Sequence, residues 1–374
     1  MDLMTDAGED LVDAAELITE DELRLAARNH GMPLEALRYP ITPVGLHYLL
    51  IHYDIPEVDE ASFTLTIAGR VRRPTTLTLA DLQTRPAAVA AVTMECAGNG
   101  RAHLKPRPIS QPWLLGATGT AEWTGTPLRS LLEEAGLLDD AVEVVFTGLD
   151  HGVEKGVEQD YQRGLPLAEA MRTETLLAYA MNGQPLLPQH GFPLRLVVPG
   201  WYGMTNVKWL TRITVVAQPF AGYQQVRGYH LRTDDDDPGT PVTRMMPRAL
   251  MVAPGIPDFL TRRRFVRPGS HRLRGRAWSG WAPIRAVDVS VDGGRTWAAG
   301  QLEAQPSGFA WCGWSCSWTA SPGDHELCCR AIDESGRQQP LDIPWNVGGY
   351  ANNAVQRIHV TVTDQPGDVL EPAV

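Results

Sequence analysis

The stretch RTDDDDPGTPVTR, from Arg232 to Arg244, constrains the fold of this chain more than any other feature. Four consecutive aspartates repel one another, and Pro238, Gly239 and Pro241 follow at once, so a packed helix or central strand cannot run through it. One core has to end before it and another begin after it. At 374 residues the chain is also longer than a single ordinary core.

The text on the two sides differs in kind. On the amino-terminal side, the β-rich runs SFTLTIAGRV, AVEVVFTGL and FPLRLVVPG mix with the helical patches PLRSLLEEAGLL and LPLAEAMRTETLLAYAM, the pattern of an α+β domain. On the other side, RAVDVSVDGGRTWAAG, FAWCGWSCSW, DHELCCRAID and VQRIHVTVTD read as short strands separated by turn signals, an all-β sandwich of about 110 residues. Ahead of both, ITEDEL offers Thr19 and Glu22 as a capping box, with Gly31 to close the helix. The expected organisation is an arm over 1–43, an α+β domain over 44–232, a linker over 233–248, a β-sandwich over 249–365 and a tail over 366–374.

A net charge of −11 excludes a general nucleic-acid or anionic-membrane surface, so any bound anion has to be held by local basic residues. The acidic amino terminus lacks the basic region of a secretory signal, and no apolar run is long enough for a bilayer; the expected location is the cytoplasm. Five cysteines, two of them adjacent at 328 and 329, suit a reducing compartment rather than a disulfide framework.

Cys96, in VTMECAGNGR, follows a β-branched apolar run and precedes a Gly-rich turn. Three roles are open to it. As a small apolar side chain it would simply fill core, the reading adopted for Cys312, Cys316, Cys328 and Cys329, which sit within expected strands. As a nucleophile it would need His103 or His190, but no cysteine-hydrolase signature surrounds it. As a metal ligand its single thiolate would need a cofactor carrying further sulfur; zinc is disfavoured because neither C-x-x-C pairs nor H-E-x-x-H occur.

ECAGNGR, MNGQPLLPQHGFPLRLVVPGWYGMTNVKWL, RAWSGWAPIRAVDVSVDGGRTW and PWNVGGYANN together resemble the sulfite oxidase family of molybdenum enzymes, in order and from about residue 44 to 363. The resemblance implies an α+β molybdopterin-binding domain followed by an immunoglobulin-like sandwich used for homodimerisation. It implies Cys96 as the molybdenum ligand, beside one molybdopterin. His190, Arg195 and Lys208 match positions that contact the pterin, Asp150 matches one near it, and Tyr53 is placed with them. Arg101 matches an arginine that helps bind the oxyanion, and Trp113 would line the pocket. Tyr229 matches the active-site tyrosine, with Tyr223 as a competitor. Trp123 is read as core.

Two departures bear on substrate. His52 stands where animal and plant sulfite oxidases carry an arginine, and Cys312 aligns with a second arginine brought in by the sandwich. A histidine charge depends on pH where a guanidinium's does not. Weak sulfite binding is therefore expected, declining as pH rises past about 6.5. Sulfite oxidation ranks first, another sulfur compound second and nitrate reduction third; a non-catalytic homologue is the alternative from another class. No haem module is expected, so electrons would pass to an external acceptor, a cytochrome being one candidate.

Overall fold

The computed structural model describes residues 18–365; the acidic amino terminus before Ile18 and the tail over 366–374 lie outside the described residues. The helix Glu20–Arg28 has the expected cap, in which the Thr19 side chain accepts from the Glu22 backbone N–H and the Glu22 carboxylate accepts from Thr19. It ends at Asn29, not at Gly31. Gly31 instead lets the backbone approach Gly116, where an added methyl would lie 3.2 Å from a carbonyl carbon.

Two sheets build the α+β part. The first has the order Thr75–Thr78, Thr64–Gly69, Leu210–Val216, Glu143–Glu154, Val157–Pro166, with one parallel pair, Thr64–Gly69 against Leu210–Val216. The second runs Ala88–Glu95, Thr118–Pro127, Leu176–Met181, Gln184–Pro185, and Arg195–Val197 also pairs with Leu176–Met181. Leu65, Ile67, Leu82, Leu132, Phe146 and Ile213 belong to the main core. The helix Leu128–Ala135 buries Leu128, Leu131 and Leu132 against it and ends at Gly136, whose φ of 71° a side chain rarely adopts.

The second expected helical patch divides. Only Leu167–Ala170 is helical, whereas Leu176–Met181 is a strand paired on both edges. A six-residue apolar run between turns has no decisive period, and burial between two partner strands settles it.

The carboxy-terminal part is a sandwich of a four-stranded sheet, Arg248–Met251, Gly269–Trp278, Cys312–Ala320, Gln301–Leu302, and a six-stranded one centred on Gln356–Val362 and Gly323–Asp333. Trp314, Trp318, Leu273, Val287 and Leu327 fill the space between them, together with Cys312 and Cys329. All five cysteines are free. The four-aspartate stretch forms the tip of a small hairpin in which His230–Leu231 pairs with Thr240–Pro241. Val242 N–H donates to the Tyr229 carbonyl at 2.8 Å, so the passage between the two parts also positions Tyr229.

Candidate active site

Strand Ala88–Glu95 becomes fully buried at its last four residues and delivers Cys96 into a tight turn. Cys96 N–H donates to Ala117 O at 2.9 Å, Asn99 N–H to Cys96 O at 3.0 Å, and Arg101 N–H to Gly98 O at 3.0 Å. Gly100 has φ of 90°, which favours glycine. The sandwich holds this turn from outside: Ala351 N–H donates to Ala97 O at 2.8 Å and Asn352 Nδ2 to Gly100 O at 2.7 Å. Beneath it, Glu95 pairs with Arg248 at 2.7 Å, both side chains only 1% exposed. Asn99 Nδ2 and Trp278 Nε1 each donate to the Glu95 carboxylate at 2.9 Å.

Arg101 lies folded over Gly98, close to the thiol. Its Nε donates to Gly348 O at 2.8 Å, Nη1 to Gln111 O at 3.3 Å, and its guanidinium carbon stands 5.2 Å from the centre of the Tyr350 ring. Trp113, 4% exposed, packs with Cys96 and Ala117 but, contrary to expectation, does not line the cavity that Cys96 opens on.

Cys96, His52, Asp150, His190, Arg195, Lys208 and Tyr229 line one cavity of about 60 Å³. Residues 47 to 229 in sequence thus converge on a single space. Arg195 donates to His190 O at 2.9 Å and Asn206 O at 3.2 Å, with Trp123 under its guanidinium at 4.7 Å. Lys208 Nζ donates to Leu50 O at 2.8 Å and Gln189 O at 3.2 Å. His52 Nε2 and the Tyr229 hydroxyl share a hydrogen bond of 2.8 Å, and the His52 ring stacks on Tyr161 at 4.6 Å.

Two further expectations change, and the two candidate tyrosines part. Tyr53 does not line the cavity: its ring packs over Gly152, and its hydroxyl accepts from Gln224 at 3.4 Å, away from where His52 points. Tyr223 begins the short helix Tyr223–Val226 outside the cavity, whereas Tyr229 faces in with a strained φ of 55°. Cys312 is in the sandwich core, its thiol directed at Glu303 O at 3.1 Å, so its identity leaves the cavity's charge untouched. The sandwich segment that reaches the site is Gly348 to Asn352.

Burial dominates the electrostatics. Desolvation pushes the Cys96 thiol up, opposed by the Arg101 charge, the Gly98 N–H and the nearby Trp113 indole; that indole N–H makes no bond of ordinary geometry. His52 is driven down to about 3 by burial and by the charges of Lys208 and Arg163. It is therefore neutral at physiological pH, and the expected loss of anion binding past pH 6.5 has no source in His52. Burial lowers Lys208 to about 7 and raises Asp150 to about 7.

An acid sensitivity follows. Burial first, then neighbouring cations, holds His47 at about 4 and His190, like His52, at about 3. The unfolded chain binds protons at these three histidines below pH 6.5 that the folded chain refuses, so stability present above 6.5 is lost as pH falls. Asp150 opposes them, since the folded chain keeps a proton there that the unfolded chain releases above about pH 4. Three against one leaves a slope approaching about 3 kcal/mol per pH unit near pH 5. Urea unfolding of the cofactor-free protein at pH 7, 6 and 5 is expected to show the midpoint falling steeply; a flat midpoint would contradict the buried neutral histidines.

These residues fit a pterin cofactor. Among the described residues His47 Nε2, Asp150 Oδ1, Arg195 Nε and Trp113 Nε1 are buried without hydrogen-bond partners, and no group of three or more His, Cys, Asp or Glu could hold a metal. A lone thiol beside a cavity walled by cations and unsatisfied polar atoms suits an anionic ligand that brings its own sulfur.

His47, Tyr48, Tyr161 and Tyr350 were not singled out in the sequence. His47 and Tyr48 stand just ahead of His52 in GLHYLLIH; Tyr161 and Arg163 share the buried face of an alternating strand, where a charged residue in an apolar position is the available signal.

Residues 52–224 match the family model for the oxidoreductase molybdopterin binding domain, and residues 247–363 that for the Mo-co oxidoreductase dimerisation domain. The mitochondrial sulfite oxidase of Mus musculus is 35% identical over 94% of this chain and 68% of its own length; that of Homo sapiens is 34% identical over 86% and 62%. The chain thus spans roughly two thirds of these relatives. A nitrate reductase of Hordeum vulgare is 31% identical over 86% of this chain and 39% of its own length. The crystal structure of the sulfane dehydrogenase SoxCD from Paracoccus pantotrophus superposes with a TM-score of 0.78 at 25% identity, covering 97% of each chain.

Proposed function

The chain belongs to the sulfite oxidase family of molybdenum-dependent oxidoreductases, and on that premise we propose that it oxidises sulfite to sulfate and passes the electrons to an external acceptor. In that reaction sulfite gains an oxygen derived from water, releasing two electrons and two protons. The observation that supports it most directly is the placement of Cys96 beside Arg101 at a cavity whose remaining walls carry Arg195, Lys208 and His190.

In this reading Cys96 holds the metal, and Arg195, Lys208, His190 and Asp150 hold the pterin and its phosphate. The cofactor, when bound, supplies the two-electron redox couple and the oxygen atom transferred. The chain's own residues do the rest. Arg101, fixed by two backbone carbonyls, attracts the anion with its guanidinium. Tyr229 presents its hydroxyl to the substrate, and neutral His52 fixes that hydroxyl's direction. Trp113 packs beside the thiol and keeps it buried.

A second reading, a different sulfur compound as substrate, is favoured by the neutrality of His52 and by the full-length likeness to a sulfane dehydrogenase. Purified, molybdenum-loaded protein should reduce ferricyanide or cytochrome c with sulfite; reduction only by thiosulfate or another sulfane-bearing compound would transfer the proposal to the second reading. About one molybdenum and one pterin per chain is expected, and their absence after expression in a host that makes the cofactor would favour a non-catalytic homologue. A homodimer through the sandwich is proposed from the match to the dimerisation domain, and a monomer in light scattering at micromolar concentration would refute it. Among the described residues no helix is long and apolar enough to cross a membrane.

A further inference from the structure

Arg163 lies on strand Val157–Pro166 and is 4% exposed. One of its terminal nitrogens donates to the Gln224 carbonyl, while its Nε is buried without a hydrogen-bond partner. Among the described residues no carboxylate stands within ion-pair distance, in contrast to the equally buried Arg248, which has Glu95. The groups around Arg163 are Tyr161 on its own strand, Tyr229 from the passage between the two parts, Tyr350 from the sandwich and His52 from the amino-terminal segment. None of them is negatively charged at neutral pH. The guanidinium carbon sits 5.4 Å from the centre of the Tyr229 ring.

A desolvated guanidinium without a counter-charge is strongly unfavourable, and an arriving anion would relieve that cost. Arg195 and Lys208 stand at the end of the cavity assigned to the pterin, whereas Arg163 stands behind Tyr229 and His52, which line the wall assigned to substrate.

We propose that Arg163 is the second fixed cation of the substrate-anion site, a positioning residue that acts through Tyr229 and His52 to favour a small oxyanion held between them and Arg101. The proposal rests on the oxyanion-oxidising reading given above. It supplies from the α+β domain a permanent positive charge that neutral His52 does not. It also adds, after burial and Lys208, to what keeps His52 neutral, because a guanidinium nearby disfavours a second cation. Arg163 needs no contact with the reacting atoms: in a water-poor site its field reaches the anion through the phenol it stacks on.

The test uses molybdenum-loaded wild type, Arg163→Gln and Arg163→Lys, with two readouts: the dissociation constant for sulfate, by calorimetry, and KM and kcat for sulfite. Losing one charge-assisted contribution predicts that Arg163→Gln weakens sulfate binding and raises KM by roughly tenfold to hundredfold, with kcat falling far less. Arg163→Lys, retaining the charge without the fork, should recover most of that loss. If Arg163→Gln does not fold, Arg163→Lys carries the test through the same constants. Sulfate binding within twofold of wild type in Arg163→Gln, or an Arg163→Lys variant that binds sulfate tenfold or more weakly than wild type, would overturn the proposal. Loss of molybdenum and pterin with oxyanion affinity retained would also overturn it, by assigning the charge to the cofactor. A wild type that binds sulfate, loses that binding on Arg163→Gln, and is not reduced by sulfite would leave the role of Arg163 standing and remove the sulfite reading alone.

Discussion

Cys96→Ser is expected to lower sulfite-dependent turnover by on the order of a thousandfold or more, about 4 kcal/mol of activation free energy, while the chain stays folded. Serine differs by one atom at a position 7% exposed, so the turn's bonds to Ala117, Asn99 and the sandwich remain available. What it removes is the soft donor. No other cysteine lines the cavity, since Cys312, Cys316, Cys328 and Cys329 all lie in strands of the sandwich. The thiol is pushed up by burial in the free protein, and a metal held there would favour its thiolate. Three measurements separate the possibilities: molybdenum by mass spectrometry, the melting temperature, and turnover. Near-wild-type turnover with normal folding would refute the ligand assignment.

Arg248→Met is the second large effect. It leaves the Glu95 carboxylate 1% exposed with hydrogen bonds from Asn99 and Trp278 but without its counter-charge, a loss of about 3–5 kcal/mol. Adding Glu95→Gln removes the stranded charge and keeps an acceptor for Trp278, so the double variant should be more stable than Arg248→Met alone. Urea unfolding of wild type and the two variants measures both claims. A deficit under about 1 kcal/mol for Arg248→Met, with no recovery in the double variant, would mean that the pair is structurally replaceable.

The sequence made some parts of this site legible and concealed others for a physical reason. Cys96 could be singled out because the strand, the turn glycines and the thiol are contiguous, and His190, Arg195 and Lys208 because they sit in one Gly/Pro-rich stretch. Tyr229 could be matched but not separated from Tyr223, which needed the hairpin that turns one inward and leaves the other outside. Cys312 was misplaced because neighbouring strands can carry similar aromatic patterns, and only the packing shows that residues 348–352, rather than the FAWCGWSC strand, meet the Cys96 turn. Arg163, Tyr161 and His47 were silent because their importance comes from what faces them across the cavity, a non-local property. The helical reading of LLAYAM failed for a related reason, its partners on both edges lying far away in sequence.

The hydrogen bonds from Ala351 and Asn352 to the turn around Cys96 set an order on the birth of the enzyme. While the ribosome is still adding residues beyond 300, the earlier sheets can already have formed, yet the rim of the metal pocket lacks its last struts. The finished shape exists only once nearly the whole polypeptide has emerged, so cofactor loading into the completed pocket belongs after translation.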